Sequence, residues 1–150
     1  MDAALLDRCT HTVDRIHRLL LSIPEPEQRE RADGWSVPEV VGHLVDSAGN
    51  NHQRVCRYVP GGELTFPAYD QREFVSRAGY NSFEWPVLIT LWHSYNLLLL
   101  HMFARIPDDR LLSSTVAIGG SEPISLNRLI GDYYTHMEIH EAQIRRIVGV

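Results

Sequence analysis

The sequence predicts an all-α chain: a bundle of four long helices with one long crossover loop. Three observations carry that reading. Apolar residues recur at helical spacings over four stretches of about twenty residues each. Prolines and glycines gather between those stretches, where they act as stops and turns. The 150 residues, 44% hydrophobic and 22% charged, supply one soluble core, so residues 1–150 are expected to form a single domain.

Helix 1 is expected from about Ala3 to Ile23, with Leu6, Val13, Ile16, Leu20 and Ile23 on one face and Pro24 and Pro26 as its stop. Helix 2 opens on Ser36-Val37-Pro38-Glu39, a capping box in which Ser36 accepts from the Glu39 amide and Glu39 reaches back to the Ser36 amide. It continues through Val40, Val41, Leu44, Val45 and Ala48 and stops before Pro60-Gly61-Gly62. Residues Val59 to Asn81 read as a long crossing loop with one helical turn around Gln71 to Ser76, and long loops in compact domains are often functional. Helix 3 runs from near Ser82 to about Arg105, before Pro107. Its apolar window from Val87 to Phe103 contains His93, Ser94, Asn96 and His101. It reads as a buried helix, too short and too polar for a membrane span. The β-branched residues between Leu111 and Ile118, followed by Gly119-Gly120, suggest a short irregular hairpin returning through Pro123-Ile124. Helix 4 runs from Ser125 to about Val148.

Charge and composition exclude several functions. The formal net charge is −5 and the arginines are scattered, which argues against a nucleic-acid partner. Arg145 and Arg146 form the densest basic pair and suit a helix C-terminus. All 14 basic residues are arginine, so no Schiff-base or P-loop lysine is possible. Cys9 and Cys56 lie far apart in helical patterns and read as reduced thiols. The acidic start, Met1-Asp2 through Asp7, lacks the basic and apolar regions of a secretion signal, so a cytoplasmic protein without a membrane partner is expected.

The eight histidines carry the functional signal. His136 and His140 stand at i and i+4 on helix 4, so both imidazoles lie on one face. Such a pair can share a cation, and it can equally be a solvated or core pair. Met137 occupies the position where a zincin protease carries glutamate, and paired Glu-x-x-His motifs of di-iron bundles are absent. A third ligand must come from another helix. His43 stands out among the candidates, because Asp46, Ser47, Asn50 and Arg54 follow it at +3, +4, +7 and +11. That stripe is either a solvated helix face or one wall of a polar pocket. Asp132, His136, His140 and Gln143 make a similar stripe on helix 4, where Asp132 is either an orienting acceptor for an imidazole or a surface residue. His11, His17, His52, His93 and His101 lack such company, with His93 and His101 kept as reserve pocket residues.

The run Trp35-Ser36-Val37-Pro38-Glu39-Val40-Val41-Gly42-His43-Leu44-Val45-Asp46-Ser47 resembles the helix 2 motif of the DinB/YfiT-like superfamily. The resemblance extends through Asn50 and Arg54, Pro67-Ala68-Tyr69-Asp70, Tyr133-Tyr134-Thr135-His136 and His140-Glu141-Ala142-Gln143-Ile144, in the family's order. It implies an up-down-down-up four-helix bundle that holds one divalent metal, zinc or nickel first and iron or manganese next, through His43, His136 and His140. It also implies a metal-dependent hydrolase or a bacillithiol- or mycothiol-dependent S-transferase, with a low-molecular-weight thiol as cosubstrate, a small-molecule substrate and a homodimeric state. Gly42 stands where the YfiT-like branch often carries a second histidine, and Glu138, Ile139 and Gln143 replace histidines around the C-terminal pair.

Three neutral imidazoles leave a divalent ion an open position, the pattern of a catalytic site. Asp46, or Asp70 carried in by the loop, is the expected general base or substrate anchor. Arg54 is expected either to pair with Asp70 or to receive an acidic group of a thiol cofactor. Tyr69 and Trp35 are expected to pack at the pocket rim. The alternatives are a non-catalytic metal-binding stress protein and a structural bundle that acts through dimerisation.

Overall fold

The computed structural model describes residues 3–24 and 34–150. Its four long helices are α1 (Ala3–Leu21), α2 (Val37–Cys56), α4 (Trp85–Ala104) and α6 (Leu126–Val148). Two short helices, α3 (Gln71–Ala78) and α5 (Asp108–Ser113), and three short strands, β1 (Glu63–Phe66), β2 (Thr115–Ile118) and β3 (Ile124–Ser125), fill the connections. The chain is an all-α, up-down-down-up four-helix bundle with a minor sheet. In cross-section α1 and α2 each pack against both α4 and α6. Val13, Ile16 and Leu20 of α1, Val41 and Leu44 of α2, and Ile130 of α6 meet in the core at 0% exposure, which is the apolar periodicity of the sequence realised in space.

The capping box of α2 forms as the sequence predicts, with Glu39 N–H donating to Ser36 Oγ and Ser36 N–H donating to Glu39 Oε2 at 2.8 Å. It fixes the first residue of the helix, and so the face on which His43 emerges. Loss of such a cap costs about 1 kcal/mol. α1 ends at Leu21, short of the expected Ile23, and Pro26 lies outside the described residues.

The crossover holds more structure than expected. β1 pairs in parallel with β2, which pairs antiparallel with β3. The expected hairpin therefore grows into a three-stranded sheet of order β1-β2-β3. The expected turn at Gln71 is the eight-residue helix α3, closed by Gly79 at φ 64, a left-handed conformation that favours glycine. The helix α5 was not anticipated, because six residues are too few to show a period.

α4 corrects one expectation. The helix has 20 residues and an 18-residue window of mean hydropathy 1.4, apolar enough to cross a membrane on length and composition alone. In the fold it buries Leu88, Trp92, Leu99 and Phe103 in the core and leaves Val87, Leu91, Leu97 and Leu98 exposed.

Candidate metal centre

α2 and α6 bring together the three histidines the sequence singled out. His43 Nε2 lies 3.0 Å from His136 Nε2, which lies 3.0 Å from His140 Nε2. All three donor atoms fall within 4.8 Å of one another. His43 is 1% exposed, and the other two are half-buried. Nitrogen ligands about 2.0–2.1 Å from a shared ion sit roughly 3 Å apart, which both His136 contacts match.

Proton bookkeeping separates a metal centre from a hydrogen-bonded cluster. Burial, reinforced by the neighbouring imidazoles, lowers the His43 pKa to about 3 and the His136 pKa to about 4, and burial lowers that of His140. The three rings are therefore neutral at physiological pH. The His140 Nδ1–H donates to Gln143 Oε1 at 2.8 Å, with the amide oriented as placed, so its Nε2 offers a lone pair. His136 Nε2 must then donate to His140 and cannot also accept from His43. A single His136 Nε2–H serves both contacts only as a shared three-centre bond, whereas one cation engages all three lone pairs. The donor set fits a divalent metal.

Local packing explains how the ligands are held. Trp35 lies over the cluster, its ring 5.0 Å from His43 and 6.5 Å from His140, at the rim position expected for it. The Tyr80 ring covers Gly42, and a Cβ at residue 42 would fall inside that ring. This is the physical reason residue 42 is glycine. Tyr80 Oη–H donates to Asp46 Oδ1 at 2.7 Å, so the same ring braces both neighbours of His43 on α2. On the far side of α6, Glu141 accepts from Arg15 at 2.8 Å and from Arg145 at 2.9 Å, and Glu138 pairs with Arg8. This clasp to α1 sets the rotation that turns His136 and His140 towards α2.

The other expected residues divide. Asp46 is half-buried, burial raises its carboxyl pKa despite the Tyr80 bond, and its Oδ2 has no hydrogen-bond partner. Arg54 is 7% exposed and lies in the same cavity as His43. Asp70 is not brought to the cluster: it is exposed, and its Oδ1 accepts from the Arg72 and Glu73 amides as the N-cap of α3. The expected Arg54–Asp70 pair is accordingly absent among the described residues. Asp132 is exposed and pairs with Arg128 at 3.4 Å, while Gln143 is the residue that orients an imidazole. His17 stacks on His93, His52 meets Tyr95, and His101 is exposed, so none of them joins the site. Cys9 is buried, with its thiol pushed up to about 12, and is no nucleophile.

Sequence reasoning missed Tyr80, Gln143 in its orienting role, and Asn51. Only Asn51 had a usable signal: His43, Ser47, Asn51 and Arg54 stand at i, i+4, i+8 and i+11, and all four are buried along one wall of a cavity of about 310 Å³. The opposite wall is Leu129, Tyr133 and His136 of α6 with Ile118 and Ile124 from the sheet. Tyr69 also lines it. A second cavity of about 410 Å³ opens beside Trp35 and Gln143, and Gln71 borders both.

No family model and no curated protein matches the chain in sequence. Among solved structures, YfiT from Bacillus subtilis, described as a probable metal-dependent hydrolase with an unusual four-helix bundle topology, is similar over 98% of this chain and 87% of its own, with a TM-score of 0.78 at 18% identity. The chain therefore has the YfiT-like bundle fold.

Proposed function

We propose that this protein is a metal-dependent enzyme acting on a small molecule, in which His43, His136 and His140 hold one divalent ion. The observation that carries the reading is the convergence of three neutral Nε2 ligand atoms, two of them on residues, His43 and His136, that line a cavity of about 310 Å³. An ion held by three imidazoles supplies Lewis acidity and an open position, enough to ionise water or a thiol near neutral pH. With water as the nucleophile the protein is a hydrolase; with a low-molecular-weight thiol it is an S-transferase.

The chain's own residues then have defined tasks. Gln143 holds the His140 tautomer that presents Nε2. Asp46, one turn after His43 on α2, is the carboxylate assigned to take up the nucleophile's proton; its Oδ2 is buried without a partner and does not line the cavity, so the role requires that side chain to turn towards the histidines. Tyr80 keeps the carboxylate oriented through Oδ1. Trp35 closes the cluster against bulk water.

The test is a screen of the zinc- and nickel-loaded protein against esters and amides, and against electrophiles with and without a small thiol. Turnover that disappears with a chelator, returns with metal and falls at least 100-fold in Asp46→Asn supports the reading. Thiol dependence then distinguishes transfer from hydrolysis. Turnover indifferent to chelation overturns it.

A further inference from the structure

We infer that Arg54 anchors a carboxylate of the substrate, at a point in the cavity remote from the metal-binding histidines. The inference rests on the proposed function for the word substrate, but the binding site itself does not need the metal.

Arg54 is 7% exposed and its Nε is fully buried, and a charge so placed should be paired, because an uncompensated buried charge is costly. Arg54 makes one hydrogen bond, from Nη1 to the neutral Asn51 Oδ1 at 3.3 Å, and its Nε has none. Among the described residues no carboxylate lies within ion-pair distance of it. Its other close partner is the Phe66 ring, 5.4 Å from Cζ, which tolerates a cation without neutralising it. The group borders the cavity that His43 and His136 also line. A buried cation left without an anion, facing a cavity, marks the place where an anion binds.

The surroundings choose the anion. The cavity holds a single arginine, and Asp132 on its border contributes the opposite charge. A guanidinium pairs bidentately with carboxylate or phosphate alike, but a single positive charge beside Asp132 balances a monoanion and leaves a dianion in excess. The Tyr69 hydroxyl, on which both Arg54 and Ser47 act, supplies a neutral donor beside it. The wall opposite α2 is apolar at Ile118, Ile124 and Leu129, while Ser47 and Asn51 lie on the α2 wall between His43 and Arg54. Eleven residues separate His43 from Arg54 on α2, about 16 Å along the axis, and the arginine side chain slants back over part of that length. The ligand is thus an acid with an apolar body whose carboxylate lies several bonds from the reacting group.

Benzoate, its neutral counterpart benzamide, and phenyl phosphate serve as probes, titrated by NMR against zinc-loaded protein and against the metal-free His136→Ala/His140→Ala variant. Benzoate should bind at least 10-fold more tightly than benzamide and more tightly than phenyl phosphate, and equally in both proteins. Arg54→Met, which replaces the buried cation by an apolar chain of similar length, should remove that preference and leave zinc affinity unchanged. Arg54→Lys should retain part of it. Benzoate binding no tighter than benzamide, unaltered in Arg54→Met, or present only with zinc overturns the inference, the last because the probe then sits on the metal. Stronger binding of phenyl phosphate overturns the carboxylate assignment. Loss of zinc binding in the wild-type protein would sink the proposed function while leaving the titration of the metal-free variant intact.

Discussion

Glu141 and Arg54 are buried to nearly the same degree, at 5% and 7% exposure, and the molecule treats them in opposite ways. Glu141 sits between Arg15 and Arg145, with both oxygens engaged. Arg54 has a neutral amide, an aromatic face and a cavity. The satisfied charge joins α1 to α6 and serves the fold. The unsatisfied one lies on the wall shared with His43 and serves a ligand. Burial alone does not separate structure from function; the state of the partners does.

The contrast is sharpest in stability. Replacing Glu141 with alanine leaves Arg15 and Arg145 facing an empty site, and because both arginines are part-exposed the cost should be about 2–3 kcal/mol, below the full penalty for a broken buried pair. Gly42→Ala should cost about 1–3 kcal/mol by forcing the Tyr80 ring off α2, and should weaken metal binding through His43. Gln143→Ala should leave stability nearly unchanged and lower metal affinity about 10–100-fold, since it frees the His140 tautomer. Arg54→Met should shift stability by less than about 1 kcal/mol or raise it, because it removes an unpaired buried charge. Urea denaturation and zinc competition with a chromogenic chelator measure all four. An Arg54→Met variant as damaged as Glu141→Ala would erase the distinction.

Acid separates the two regions as well. Burial opposes ionisation of Glu141, but Arg15 and Arg145 outweigh it and hold its pKa below the ordinary value. Its contribution to stability is therefore present above the unfolded carboxyl pKa of about 4.3 and lost as pH falls through the folded value. The histidines act at higher pH. Below about 6.5 the unfolded chain takes up protons that the folded cluster refuses until about 3 at His43 and 4 at His136. The metal-free protein should thus lose stability from pH 6.5 downwards, and His136→Ala/His140→Ala should flatten the upper part of that loss, with the Glu141 part remaining. Thermal melts of the metal-free proteins across pH 4–8 check both.

Those regions also mark how far the sequence could be read. The capping box at Ser36, the i, i+4 pair His136 and His140, and the stripe from His43 to Arg54 are legible because each lies within one helix, where spacing fixes the face. The resemblance to the DinB/YfiT-like superfamily joined His43 to the pair, which spacing could not do. Contacts between distant elements stayed hidden. Tyr80 bonds Asp46 across 34 positions, and Arg15 bonds Glu141 across 126. Asp70 was misplaced for a local reason: a loop aspartate before a helix is drawn to the helix amides as a cap. β1 was missed because its alternating run, Glu63–Phe66, is only four residues long and is defined as a strand by its pairing with β2.

The central claim is that three converging neutral imidazoles form a metal centre. Metal content by mass spectrometry, on protein purified without a histidine tag beside the His136→Ala/His140→Ala variant, tests it most directly. About one divalent ion per chain is expected in the wild type and none in the variant. No metal in either protein, with no rise in melting temperature when zinc or nickel is added, would contradict it.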